Sequence, residues 1–262
     1  MNRQILLGVL IPFIGTSVGS ACVYFMEDEI KPEVQKGLSG FAAGVMVAAS
    51  FFSLLLPSIE MASEKLANMS WVPAAVGFII GILLMLLLDS LVPHQHIGSD
   101  VIEGRHSQQL RRTTMMVLAV VIHNIPEGMA VGVSFAGTQS ESVSITQAMV
   151  LAIGIAIQNF PEGAIISMPL KSAGVNKNKS FMAGVLSGAV EPLAAIITIL
   201  LSQIMIPILP YLLSFAAGAM FYVVVEELIP EAMGESDSHS NIGTLGFSAG
   251  FVIMMILDVM LG

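Results

Sequence analysis

Charge is scarce in this chain. Of its 262 residues, 11% are charged, against about 25% in an ordinary soluble domain, while 55% are hydrophobic and the mean hydropathy is +0.85. A soluble globular domain is thereby excluded, and an all-α integral membrane protein is expected. Basic residues are the scarcest: ten Lys and Arg against 19 Asp and Glu, for a net charge of −9. That balance makes nucleic acid a poor partner. The acids are scattered, several inside apolar runs, so they point to a cationic substrate rather than to an acidic tail. Cysteine occurs once, at Cys22, which rules out an internal disulfide and a cysteine-built zinc cluster. H-E-x-x-H, the helix-borne signature of zinc hydrolases, is absent. So is a clear small-x-small cleavage site after the first apolar run, which is therefore read as a retained helix.

What the chain has in abundance is long apolar segments. A membrane-spanning helix needs about 20 mostly apolar residues, and eight such stretches occur, at about 5–26, 36–59, 71–92, 113–136, 145–169, 180–203, 208–230 and 242–261. The loops after spans 1, 3, 5 and 7 hold Lys31, Lys36, Arg105, Arg111, Arg112, Lys171, Lys177 and Lys179; the other side holds only Arg3 and Lys65. The positive-inside rule then places both termini outside and the loop 93–112 in the cytoplasm.

The spans repeat. Gly77-Phe78-x-x-Gly81-x-x-x-Met85-x-x-Leu88-Asp89 recurs as Gly246-Phe247-x-x-Gly250-x-x-x-Met254-x-x-Leu257-Asp258. Phe41-Ala42-Ala43-Gly44 recurs as Phe215-Ala216-Ala217-Gly218, and Gly8-Val9-Leu10, more weakly, as Gly184-Val185-Leu186. Spans 1–3 (about 5–92) thus match spans 6–8 (about 180–261), with the two spans of about 113–169 between them, all in one domain of residues 1–262. The matched spans run in opposite directions, so the repeats are inverted, as in alternating-access carriers with a site at the bilayer midplane.

Between the repeats, one motif is written twice. His123-Asn124-Ile125-Pro126-Glu127-Gly128 and Gln158-Asn159-Phe160-Pro161-Glu162-Gly163 both read x-N-x-P-E-G, 35 residues apart. Ionisable groups in hydrocarbon are costly and mark a functional site by default. His123 and Glu127 share a helix face at i, i+4, as do Gln158 and Glu162. Each proline frees a backbone carbonyl that needs a partner inside a cavity. A single buried carboxylate suits a proton site. Two glutamates, a histidine and the amides of Asn124, Gln158 and Asn159 suit a divalent transition metal better. Glu191, before Pro192 in span 6, lies at similar depth and can complete the cluster. With His123 neutral, three carboxylates do not neutralise two divalent ions; either a second ion binds weakly, or binding is sequential.

In these features the chain resembles the ZIP (Zrt/Irt-like protein) family, prokaryotic type. The resemblance covers the whole chain, and His123-Asn124-Ile125-Pro126-Glu127-Gly128 is its most specific part. It implies a three-plus-two-plus-three arrangement of eight helices that carries divalent metals, mainly zinc, into the cytoplasm. One metal position would use His123, Glu127, Gln158 and Glu162; the adjacent one would use Asn124, Glu127, Asn159, Glu162 and Glu191. Where relatives with two metals often carry Asp, this chain has Asn159, which removes one negative charge from the second position and leaves one metal or two open. Ser53 and Glu60 resemble entrance residues, with Met46 deeper on the same helix as a gate and Asp258 near the outer mouth. Asp89, Glu226 and Glu227 resemble exit ligands. His94, His96 and His106 resemble a metal-collecting cytoplasmic loop. The resemblance also implies a homodimer and an elevator-like motion of spans 1, 4, 5 and 6 against spans 2, 3, 7 and 8.

The expectation is therefore a metal uptake transporter in a bacterial inner membrane. Divalent metal would be its substrate; no cofactor and no enzyme activity are expected. Selectivity among zinc, iron, manganese and cadmium, and coupling to protons, stay open. Two other readings are an intramembrane metal-dependent hydrolase, which leaves the repeat unexplained, and an ion-coupled carrier of an organic cation.

Overall fold

The computed structural model describes residues 3–25, 31–91, 112–138, 142–172, 174–201, 208–234 and 240–261. They form α1 (Arg3–Tyr24), α2 (Pro32–Ser63), α3 (Trp71–Leu91), α4 (Arg112–Gly137), α5 (Ile145–Ser172), α6 (Lys177–Leu200), α7 (Leu209–Met233) and α8 (Ile242–Leu261). Among the described residues, all of these except α4 include a stretch long and apolar enough to cross a membrane. α4 has 26 residues and carries the first copy of the motif. The protein is thus an all-helical, multi-pass membrane protein. His94, His96 and His106, expected in a metal-collecting loop, lie outside the described residues.

Local sequence explains where these helices start and stop. Pro32 opens α2, where its missing N–H costs nothing. Ser144 and Gln147 form a reciprocal capping box before α5: the Gln147 N–H donates to the Ser144 hydroxyl (3.0 Å) and the Ser144 N–H to the Gln147 carbonyl oxygen (2.8 Å). Asn176 caps α6 by accepting from the Asn178 N–H at 2.8 Å. Gly234, at φ +62°, ends α7 in a conformation that a side chain would strain. α2 extends beyond its expected end near residue 59, because the chain stays helical through a π-helical stretch, Ser50–Leu55, and past Pro57. α7 contains a matching π-helical stretch, Val224–Leu228. Such irregularities lodge extra residues within a continuous helix and re-aim side chains, often at functional sites.

Lipid offers little hydrophobic drive for helix association, so close packing through small residues does that work. The most extensive pairings are α2 with α8, α1 with α5, α3 with α7, and α4 with α6. A methyl added at Gly44 would strike the Phe247 carbonyl, and one at Gly218 would strike the Phe78 carbonyl. Likewise Gly81 meets the Phe215 carbonyl and Gly250 the Phe41 carbonyl. The residues of the sequence repeat therefore meet one another in reciprocal pairs. Of the apolar window of α5, 67% is buried, whereas 11% of that of α8 is, so α5 lies inside the bundle and α8 at its edge.

Candidate metal site

Both motif copies face inward. Asn124, Glu127, Gln158 and Asn159 are 0% exposed, Glu191 is 1% and His123 5% exposed. Glu162 is half-buried. The chain passes through Pro126 and Pro161 without leaving the helix, so the i, i+4 relation of His123 to Glu127 holds. Gly128 abuts the backbone of Glu191 on α6, and Gly163 abuts the Thr16 carbonyl on α1. These contacts bring α4, α5, α6 and α1 to one point.

The polar groups at that point are linked. The Gln158 Nε2 donates to Glu127 Oε1 at 2.7 Å. The Thr16 hydroxyl donates to Glu191 Oε1 at 2.9 Å. The Asn124 Nδ2 donates to the Ser187 carbonyl at 3.1 Å. His123 Nε2 lies 2.9 Å from Glu227 Oε1. The Glu127 carboxylate lies within electrostatic reach of Glu162 and Glu191, and Glu162 within reach of Glu227 and Glu231. Glu231 in turn accepts from Gln35 Nε2 at 2.6 Å, near the end of α7. A file of acids and one imidazole thus runs from the centre toward the α7 C-terminus.

Several oxygens of this cluster have no hydrogen-bond partner although buried: Asn124 Oδ1, Glu127 Oε2, Gln158 Oε1, Asn159 Oδ1 and Glu191 Oε2. Buried acceptors normally find donors; five such oxygens in one polar cluster, beside a single unpartnered donor, Asn159 Nδ2, form an oxygen-rich environment suited to a cation. Among the described residues, no three His, Cys, Asp or Glu side chains form a ready-made metal cage. Each candidate ligand with a hydrogen bond here is tied to a neighbour, so a metal would exchange those bonds for its own.

The other residues singled out in the sequence are distributed as follows. Ser53 and Asp258 meet, hydroxyl to Oδ1, at 2.5 Å, at the end of the molecule away from Glu231. Glu60 is exposed on the same helix as Ser53. Met46 is 0% exposed, within the apolar core that also includes Ile155 and Met220. Asp89 is buried near the C-terminus of α3. Of the two adjacent acids of α7, Glu227 joins the site through His123, and Glu226 is exposed. Sequence reasoning missed Thr16 and Ser187. The only available signal was the weak Gly8/Gly184 match, which, extended, sets Glu191 opposite Gly15, beside Thr16.

Comparison with known proteins places the chain in a family. Residues 94–258 match the family described as ZIP Zinc transporter. The chain is 36% identical to the zinc transporter ZIP11 of Xenopus tropicalis, over 99% of this chain and 97% of the relative. It is 36% identical to the zinc transporter ZIPB of Bordetella bronchiseptica, over 98% of this chain and 81% of the relative. With the zinc transporter GufA of Myxococcus xanthus it shares 32% identity, over 95% and 96% of the two chains. The match to the family covers both copies of the x-N-x-P-E-G motif together with Glu191 and Glu227, and the chain belongs to the ZIP family of transporters.

Proposed function

We propose that this protein carries divalent metal, zinc foremost, across a membrane into the cytoplasm. The observation that carries the reading is the buried, oxygen-rich cluster of His123, Asn124, Glu127, Gln158, Asn159 and Glu191 between α4, α5 and α6, with the half-buried Glu162 beside it. The names of the relatives, zinc transporters from animals and bacteria alike, favour zinc and a transporter rather than an enzyme. The metal would enter past Glu60, Ser53 and Asp258, with Met46 as a gate, and bind at the midplane. It would leave past Glu227, Glu226 and Asp89 toward the His94 and His96 loop.

The finer architecture is part of the same proposal: two inverted three-helix repeats around α4 and α5, with both termini outside. The reciprocal glycine contacts support it, as does the matched placing of the π-helical stretches in α2 and α7. The excess of Lys and Arg at one set of loops favours that set as the cytoplasmic side. α1, α4, α5 and α6 would move as one body against α2, α3, α7 and α8, consistent with the dominant pairings. A homodimer in a bacterial plasma membrane completes the proposal.

Radioactive zinc uptake by proteoliposomes tests it. Wild-type protein should accumulate zinc, and iron, manganese and cadmium should compete according to their fit. His123→Ala and Glu127→Ala should abolish uptake while still inserting. Wild-type uptake by both variants would overturn the site assignment.

A further inference from the structure

Thr16 stands outside the paired motifs, yet it is bound into their centre. It is 1% exposed, and its hydroxyl lies 2.9 Å from Glu191 Oε1 but 3.4 Å from the Pro12 carbonyl. A hydroxyl has one proton to donate, and the shorter contact, to the carboxylate, takes it. The other oxygen of Glu191, Oε2, is buried with no hydrogen-bond partner, and the carboxylate lies within reach of Glu162 and the Asn159 side chain.

Close backbone packing fixes this contact. A methyl at Gly163 would strike the Thr16 carbonyl, and a methyl at Gly188 would lie 2.9 Å from both Thr16 Cβ and Cγ2. α1 is thereby seated closely against both α5 and α6 at Thr16. The second motif's Gly163 packs on Thr16 as the first motif's Gly128 packs on Glu191. Thr16 thus holds, relative to α5, the place that Glu191 holds relative to α4. The two residues in equivalent places bond to each other, one a hydroxyl and one an acid.

We propose that Thr16 is a positioning residue of the midplane metal site: its hydroxyl holds Glu191 Oε1 and leaves Oε2 as the oxygen offered to a divalent metal. The proposal rests on the transport reading above and adds one residue to that site. Ligands held by an outer partner are oriented before the metal arrives, and removing such partners typically weakens metal binding about 10–100-fold.

Zinc binding to the purified full-length protein in detergent, measured by calorimetry, tests the proposal alongside thermal unfolding without metal. Thr16→Val keeps the shape and removes the donor; its Kd for zinc should rise by about 10–100-fold. Thr16→Ser restores the hydroxyl and should recover most of that loss. In a Glu191→Ala background, Thr16→Val should change the Kd by less than about twofold, because nothing is left to position. Should the valine variant fail to insert, Thr16→Ala against Thr16→Ser makes the same comparison. An unchanged Kd without the hydroxyl, or an equal loss in both backgrounds, overturns the proposal. Absence of zinc binding by the wild-type protein would instead overturn the transport reading.

Discussion

His123 Nε2 and Glu227 Oε1 lie 2.9 Å apart, joining the first motif on α4 to the π-helical stretch of α7. A metal bound through His123 Nε2 would use the nitrogen that this pair occupies. Binding and pairing would then be alternatives at that atom, and Glu227 would compete with the metal for it.

Removing the competitor should strengthen binding and slow release. With the close Glu227 carboxylate gone, His123 Nε2 is available to the metal, so Glu227→Ala should lower the Kd for zinc by roughly tenfold. Its uptake into proteoliposomes should nevertheless be slower than wild type, because the file toward Glu231 is interrupted. Calorimetry and uptake on one preparation check both halves, and an unchanged Kd contradicts the competition.

In the proposed site, Asn159 would bear on whether one metal is held or two. It is fully buried, its Oδ1 has no hydrogen-bond partner, and its side chain lies near Glu127 and Glu191. By charge alone, a neutral amide there would favour one firmly bound divalent ion over two. Asn159→Asp adds the missing charge, and bound zinc should rise from one to two per chain, as counted by elemental analysis after gel filtration. One zinc in both proteins would contradict this charge argument.

The reciprocal glycines carry a stability prediction. Gly44→Ala and Gly218→Ala each drive a methyl against a carbonyl oxygen, of Phe247 and Phe78 respectively. Overpacking of this kind costs about 1–3 kcal/mol. Both variants should unfold earlier in a denaturant titration in detergent, and by similar amounts, since the two contacts are alike.

Much of this was legible in the sequence, and the reasons are local. Apolar length accounts for the expected spans except α4 among the described residues, and the i, i+3 and i, i+4 spacing around Pro126 and Pro161 puts His123, Glu127 and Gln158 on buried faces, with Glu162 half-buried. The Gly77–Asp89 and Gly246–Asp258 match pointed to residues that touch reciprocally in the fold. Thr16 was not legible, because hydroxyls are unremarkable in spanning helices: they bond to their own helix, as Thr198 does to the Ala194 carbonyl and Ser248 to the Thr244 carbonyl. The role of one such hydroxyl depends on which helix lies beside it. The His123–Glu227 pair was hidden for the same reason, and the π-helical stretches have no periodicity that marks them. The exposure of Glu226 beside the half-buried Glu227 is a further consequence of helix phase, which span boundaries alone leave undetermined.

At Gly44, Gly218, Gly81 and Gly250, backbone rests on backbone, and no side chain lies between to act as a bearing. One helix of such a pair can pass to an equivalent seat only by a jump of a full turn, about 5.4 Å, which breaks every such contact at once. The α2–α8 and α3–α7 pairs are accordingly welded joints. In the proposed transport reading, travel of the metal would be taken up elsewhere than at these two joints.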